Sequence, residues 1–178
     1  MKKILTFIVV LILSSCSTQQ AKDILTKLFF DGKEEFVDLG LSVKWATCNV
    51  GANSPEEYGD YYTFDAAQKL GRGGKRVPTD EEFQELIDNC TCTWTKEKGV
   101  KGYKVTSKKK GNSIFLPAAG FRNGTDVDNV GSDGDYWSSS ANDYDGRADC
   151  LDFSGGYVYT GSYYRYYGFS VRLVQDVE

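Results

Sequence analysis

The chain of 178 residues has no histidine and a single methionine. Without an imidazole it cannot build a Ser-His-Asp or Cys-His nucleophile system, nor a His-ligated zinc or haem. Two further gaps are regional: no lysine follows Lys110, and beyond that residue the only glutamate is Glu178. Residues 111–178 instead hold four Arg and ten acids, nine of them Asp, for a net −6, whereas 16–110 balance fifteen Lys and Arg against fifteen Asp and Glu. A nucleic-acid surface must neutralise phosphates with Lys and Arg, so the acidic third is not expected to bind nucleic acid. The same third holds eight of the twelve Tyr, from Tyr136 to Tyr167.

At the N-terminus Lys2 and Lys3 precede the apolar segment Ile4–Leu13 and the tetrapeptide Leu13-Ser14-Ser15-Cys16. Charged n-region, apolar h-region and small residues at a cleavage point are the parts of a secretory signal. The apolar run is half of the ~20 residues needed to span a bilayer, so residues 1–15 are expected to be removed. Leu-Ser-Ser-Cys resembles the bacterial lipobox. The resemblance implies cleavage before Cys16 and acylation of Cys16, and several acyl chains give stable anchoring where one is marginal. Ser17 after the Cys, by likeness to Gram-negative lipoproteins, implies the outer membrane. Residues 16–35 then read as a tether with a short helix, because Ile24, Leu25, Leu28 and Phe29 recur at helical spacing. The folded domain is expected over 36–178. In an oxidising envelope Cys48, Cys90, Cys92 and Cys150 allow three pairings that spacing does not distinguish; a single Cys48–Cys90 disulfide is the expected one. Cys90-Thr91-Cys92 is too tight for CxxC metal or redox chemistry.

Leu39, Leu41, Val43 and Trp45 alternate around Gly40, which predicts two short strands. Gly71 to Lys75 is a basic glycine-rich turn with no strand-P-loop-helix context. Thr79 followed by Glu82 is a capping-box pair, with Phe83, Leu86 and Ile87 on one face of the helix it opens. A hairpin is predicted about Lys98 to Gly102, and Ser113 to Pro117 reads as a buried strand. The class is α+β, mostly antiparallel strands with one or two helices and long loops.

Five ordered segments carry a family resemblance: Val37-Asp38-Leu39-Gly40-Leu41-Ser42-Val43-Lys44-Trp45-Ala46, Arg76-Val77-Pro78-Thr79, Ile114-Phe115-Leu116-Pro117-Ala118-Ala119-Gly120, Tyr136-Trp137-Ser138-Ser139-Ser140 and Gly168-Phe169-Ser170-Val171-Arg172. Together they resemble the Fibrobacter succinogenes major paralogous domain family of envelope lipoproteins, over about 36–174. Part of the pattern is similar to the formylglycine-generating-enzyme branch of the C-type lectin fold, which implies a C-type lectin-like domain. The enzymes of that branch use a C-terminal cysteine pair, and here only Cys150 lies there, so oxidase activity does not carry over. No Glu-Pro-Asn, Gln-Pro-Asp or Trp-Asn-Asp triplet of the sugar-binding lectins is present either. Asp126, Asp128, Asp133 and Asp135 offer oxygens, but Val130 stands where an EF-hand-like loop needs Asp or Asn, so a solvated acidic loop is expected and no metal is assigned.

Leu151 and Phe153 alternate with Asp152 and Ser154, and Val158 lies between Tyr157 and Tyr159. The alternation puts apolar residues inward and Tyr and Asp outward. An exposed Tyr, Ser, Gly and Asp set is the alphabet of antibody-like paratopes, in which Tyr gives a large contact at low entropy cost. The displayed residues are expected to be Asn142, Asp143, Tyr144, Asp145, Arg147, Asp149, Asp152, Tyr157, Tyr159, Tyr163, Tyr164, Tyr166 and Tyr167, on a scaffold of Trp137, Leu151, Phe153, Val158, Phe169, Val171 and Arg172. This end also resembles the variable region of proteins diversified by retroelements. Adenine mutagenesis of AAC codons yields Tyr, Asp, Asn, Ser, Gly and Arg but never Lys, Glu, Gln, Met or Trp, and residues 141–174 contain none of those five. The expected function is binding of a protein or glycan on another cell, phage or host surface, with no cofactor and no catalysis. A formylglycine-generating type of enzyme and a structural envelope or pilus-associated subunit are the alternatives.

Overall fold

The computed structural model of the chain describes residues 35–142 and 145–177. The expected signal 1–15, the tether helix, Cys16, Asp143, Tyr144 and Glu178 lie outside the described residues. What is described is mixed α and β: four small antiparallel sheets and two helices.

The first sheet joins the two ends of the domain. β1 (Phe36–Val37) pairs with β2 (Val43–Ala46), β2 with the last strand β12 (Val174–Asp176), and β12 with β3 (Lys75–Arg76). A short helix, α1 (Phe64–Ala67), and the longer α2 (Asp80–Asn89) flank β3 in the chain. α2 begins where the capping box predicts: Thr79 Oγ1 accepts from the Glu82 backbone N–H at 3.2 Å, and Glu82 Oε2 accepts from the Thr79 N–H at 2.8 Å. Glu82 also accepts both guanidinium arms of Arg76, at 2.5 and 2.8 Å, and so fastens β3 to the helix start.

β4 (Cys90–Glu97), β5 (Val100–Ser107) and β6 (Ser113–Pro117) form the second sheet in sequential order. The turn between β4 and β5 is Lys98-Gly99, both at positive φ, 45° and 90°. Two such residues make the primed turn whose twist matches a hairpin, and glycine takes the second position without steric cost. β7 (Phe121–Asn123) and β8 (Asp126–Asp128) make a small solvent-exposed hairpin.

The third sheet positions the site. It has the order β11 (Tyr157–Tyr164), β10 (Arg147–Ser154), β9 (Asp133–Asn142). One face carries Tyr136, Leu151 and Phe153 into a core with Trp45, Phe83, Leu86 and Tyr103. The other carries Trp137, Ala148 and Cys150 into a second core with Phe64, Phe169 and Val171. The segment after β11 makes this second face a buried one. It returns beside β9, with Ser170 N–H donating to Asp135 O at 3.0 Å and Trp137 N–H donating to Ser170 O at 3.1 Å, and Phe169 stacks on Trp137 at 4.2 Å between centroids.

The structure departs from the expectations at the cysteines and at β10. The thiols of Cys48, Cys90, Cys92 and Cys150 are all free, so the Cys48–Cys90 disulfide is not formed. Cys90 is packed in the first core, where burial pushes its thiol up to about 11, while Cys48 lies past the end of β2 with its sulfur 3.6 Å from Thr47 Oγ1. β10 differs as well. Its polar face is not wet: with neighbours on both edges and a core on each face, it buries Asp152 as well as Leu151 and Phe153.

Candidate recognition site

The register of the third sheet sorts the tyrosines and aspartates into rows. Asp135, Asp152 and Tyr159 stand opposite one another across the three strands, and beside them Asp133, Ser154 and Tyr157 form the next row. Residues two apart on a strand share a face, so these rows continue the face that carries Trp137, Cys150 and Tyr163. Gly161 pairs with Cys150 between Tyr159 and Tyr163. A Cβ there would lie 3.1 Å from the Tyr159 ring and 3.5 Å from the Tyr163 ring, so the missing side chain lets both rings lean over the strand. Their hydroxyls converge on one atom: Tyr159 and Tyr163 both donate to Asp152 Oδ2, at 2.9 and 2.5 Å. Burial and this bond to Asp152 raise the Tyr163 phenol above its ordinary value.

Next to this pair lies a cavity of about 150 Å³. Phe121, Tyr157, Tyr163, Tyr167 and Phe169 wall it, and Asn129, Asp133, Asp135 and Asp152 supply its polar lining. Asp135 is 5% exposed and Asp152 6%. Burial, and then the charges of Asp152 and Asp133, push the Asp135 carboxyl up to about 7. Asp133 is held from outside by Asn129, whose Nδ2 donates to its Oδ2 at 2.6 Å. Among the described residues no group of three or more acids or thiols is placed to hold a metal ion. Asp126 and Asp128 lie apart on the exposed hairpin.

An aromatic ridge leads from the cavity to the surface. Tyr167 packs against Phe121 at 5.5 Å and against Tyr166 at 4.7 Å, Tyr166 stacks on Tyr164 at 5.5 Å, and the Arg147 guanidinium lies 4.7 Å over the Tyr164 ring. Tyr166 is 60% exposed and Tyr157 52%, with Tyr159 and Tyr164 also exposed.

Of the residues expected to be displayed, the structure therefore brings Arg147, Tyr157, Tyr159, Tyr164 and Tyr166 to the surface and half-buries Tyr163 and Tyr167 as cavity wall. Asp152 is the cavity floor, not a displayed group. Asp145 is exposed at positive φ in the turn before β10. Asn142 is half-buried and donates to Ser162 Oγ at 3.4 Å. Asp149 lies on the opposite face, where its charge helps raise the Asp80 carboxyl at the start of α2, after burial. All seven expected scaffold residues are buried or half-buried. Phe121 and Asn129 were not among the expected site residues; they come from a separate hairpin and loop, and no local pattern links them to β10 and β11.

A family model described as a domain of unknown function (DUF8237) matches residues 94–174, a span that contains every strand and side chain of this site. No curated protein and no solved structure matches the chain.

Proposed function

We propose that the domain is the recognition module of a bacterial envelope lipoprotein, built on a C-type lectin-like scaffold and held at the membrane by an acylated Cys16. The observation that carries the reading is the ridge of exposed tyrosines already stacked on one another and on Arg147. Rings held in place before contact lose little freedom when a partner covers them, and Tyr offers both an apolar face and a hydroxyl. The acidic surroundings add steering toward a basic partner surface. Every ridge and pocket residue on β10, β11 and the turn beyond falls within 141–174, the stretch free of Lys, Glu, Gln, Met and Trp. That coincidence supports diversification by a retroelement, for which an adjacent reverse-transcriptase gene with a near-repeat of this stretch is expected; flanking DNA without either counts against it.

The formylglycine-generating alternative needs a reactive thiol. Cys150 is fully buried opposite Trp137, and burial holds its thiol well above the ordinary range, which is the setting of an inert cysteine. A recognition role asks nothing of it.

Two experiments test the proposal. Protein and glycan arrays are probed with the parent chain and with a Tyr164→Ala/Tyr166→Ala variant, which leaves the cavity wall intact. These side chains are exposed, so the variant is expected to stay folded while losing at least about tenfold in affinity, ~1.4 kcal/mol, which is less than the ~2 kcal/mol that one hot-spot truncation costs. Equal binding by both proteins contradicts the proposal. In cell fractionation, Cys16→Ala is expected to move the protein out of the membrane fraction and to abolish fatty-acyl labelling; a labelled, membrane-bound variant contradicts the anchoring.

A further inference from the structure

We propose that the cavity formed by Phe121, Tyr157, Tyr163 and Tyr167 over Asp135 and Asp152 receives the guanidinium or ammonium head of one Arg or Lys side chain from a protein partner. The inference rests on the recognition reading and narrows its ligand to a basic side chain presented by a protein.

Asp135 is the first reason. As a residue it is 5% exposed, it lines the cavity, and among the described residues no hydrogen bond or ion pair engages its carboxylate. It also faces Asp152 directly across the strand pair. Like charges opposite one another destabilise a sheet, and a buried carboxylate without a partner is costly. Such an arrangement breaks the rules of a well-packed core, and sites of that kind are expected where a ligand completes them.

The walls give the second reason. Tyr163 donates its hydroxyl to Asp152, so it turns its ring toward the cavity, and Tyr157, Tyr167 and Phe121 add three more rings. Aromatic faces carry negative quadrupole density and attract cations within about 6 Å, most strongly where water is excluded. Carboxylates beneath such rings make a box for a diffuse organic cation. The volume of about 150 Å³ exceeds the ~30 Å³ share of one water and accommodates a head group with its last methylenes.

The third reason is that the protein's own neighbouring cations are engaged elsewhere. Arg122 lies over the Tyr61 ring at 5.3 Å, Arg147 over Tyr164 at 4.7 Å, and Arg165 over Phe64 at 4.7 Å while paired with Asp65. A bare divalent metal is the poorer fit, since it demands converging oxygens and no three acids are so grouped among the described residues.

The test is calorimetric titration of the full chain in detergent micelles with N-acetyl-arginine methylamide, N-acetyl-lysine methylamide and the neutral N-acetyl-citrulline methylamide. One of the two cations is expected to bind saturably at a single site, with citrulline at least tenfold weaker. Asp135→Asn is expected to lower cation affinity at least tenfold. Affinity should also rise between pH 6 and 8, as Asp135 gives up its proton. The titratable groups facing Asp135 are Asp133 on its own strand, Asp152 and Cys150 on β10, Tyr157, Tyr159 and Tyr163 on β11, and Tyr167 beyond it. Citrulline binding as tightly as the cations, no saturation by either cation at millimolar concentration, or affinity indifferent to Asp135→Asn each overturns the inference. If the cations fail while the tyrosine variant still loses its array partner, the pocket assignment falls and the recognition reading stands.

Discussion

Asp135→Asn is expected to unfold about 10 °C above the parent chain at pH 8, and within about a degree of it at pH 4, at the ~2–4 °C per kcal/mol typical of a domain of this size. The sign follows from linkage. The folded-state carboxyl titrates at about 7 against an ordinary 3.8, so the folded protein holds this proton more tightly than the unfolded chain. The favourable contribution is complete below pH 3.8, declines as the unfolded chain ionises first, and is gone above about 7. At ~1.4 kcal/mol per pKa unit, ionised Asp135 costs the parent on the order of 4 kcal/mol at pH 8. Asparagine keeps the shape, removes the charge facing Asp152, and escapes that loss. Thermal unfolding of both chains across the range checks it: a difference that does not change with pH, or a variant less stable at pH 8, contradicts the account. A substitution that raises stability while lowering cation affinity cannot be explained by misfolding, which is why the same variant serves both tests.

The second large effect is at Arg172, which is fully buried. Its guanidinium donates to Asn49 Oδ1 twice, at 2.7 and 3.0 Å, and to the carbonyls of Ala46, Thr47 and Phe115 at 2.9, 2.6 and 2.9 Å. One side chain thus ties the end of β2, the loop after it and the middle of β6 to the segment that lines the second core. Arg172→Met matches the length but supplies no donor, leaving these acceptors buried and unpaired. The expected loss is about 3–5 kcal/mol, which takes most of the ~5–15 kcal/mol a domain has. Urea unfolding should give either a much lower midpoint or no folded baseline, with Arg172→Lys between the two chains because an ammonium can restore some of the bonds. An unchanged midpoint for Arg172→Met would remove Arg172 from the framework.

What the sequence revealed, and what it hid, divides along local against non-local interactions. The helix start at Thr79 and Glu82 and the hairpin about Lys98 to Gly102 depend on residues within four positions and are legible, although the turn itself is confined to Lys98-Gly99 and Val100 to Gly102 already belong to β5. The tyrosine surface was legible because its composition is unusual and four of its rings have nothing to hide beneath. The expectation for Asp152 fails for a physical reason: a period of two assigns residues to faces but does not say which face is wet. The warning was present, since Ala148 and Cys150 make the supposedly outer face apolar while Leu151 and Phe153 fill the other, the pattern of a strand buried on both sides. The missing cover was Phe169 and Val171, which arrive from a segment beyond the next strand. The disulfide failed for a similar reason, because compartment and parity say that cysteines can pair but not that Cys48 and Cys90 face one another.

On the proposed function the tyrosine ridge contacts the partner. The decisive comparison is the Kd of the best array partner for the parent chain and for the Tyr164→Ala/Tyr166→Ala variant, with unfolding midpoints recorded alongside. Affinity is expected to fall by about tenfold or more at an unchanged midpoint, as truncation of interface hot spots gives. Equal Kd values from two equally stable proteins would place recognition elsewhere on the molecule.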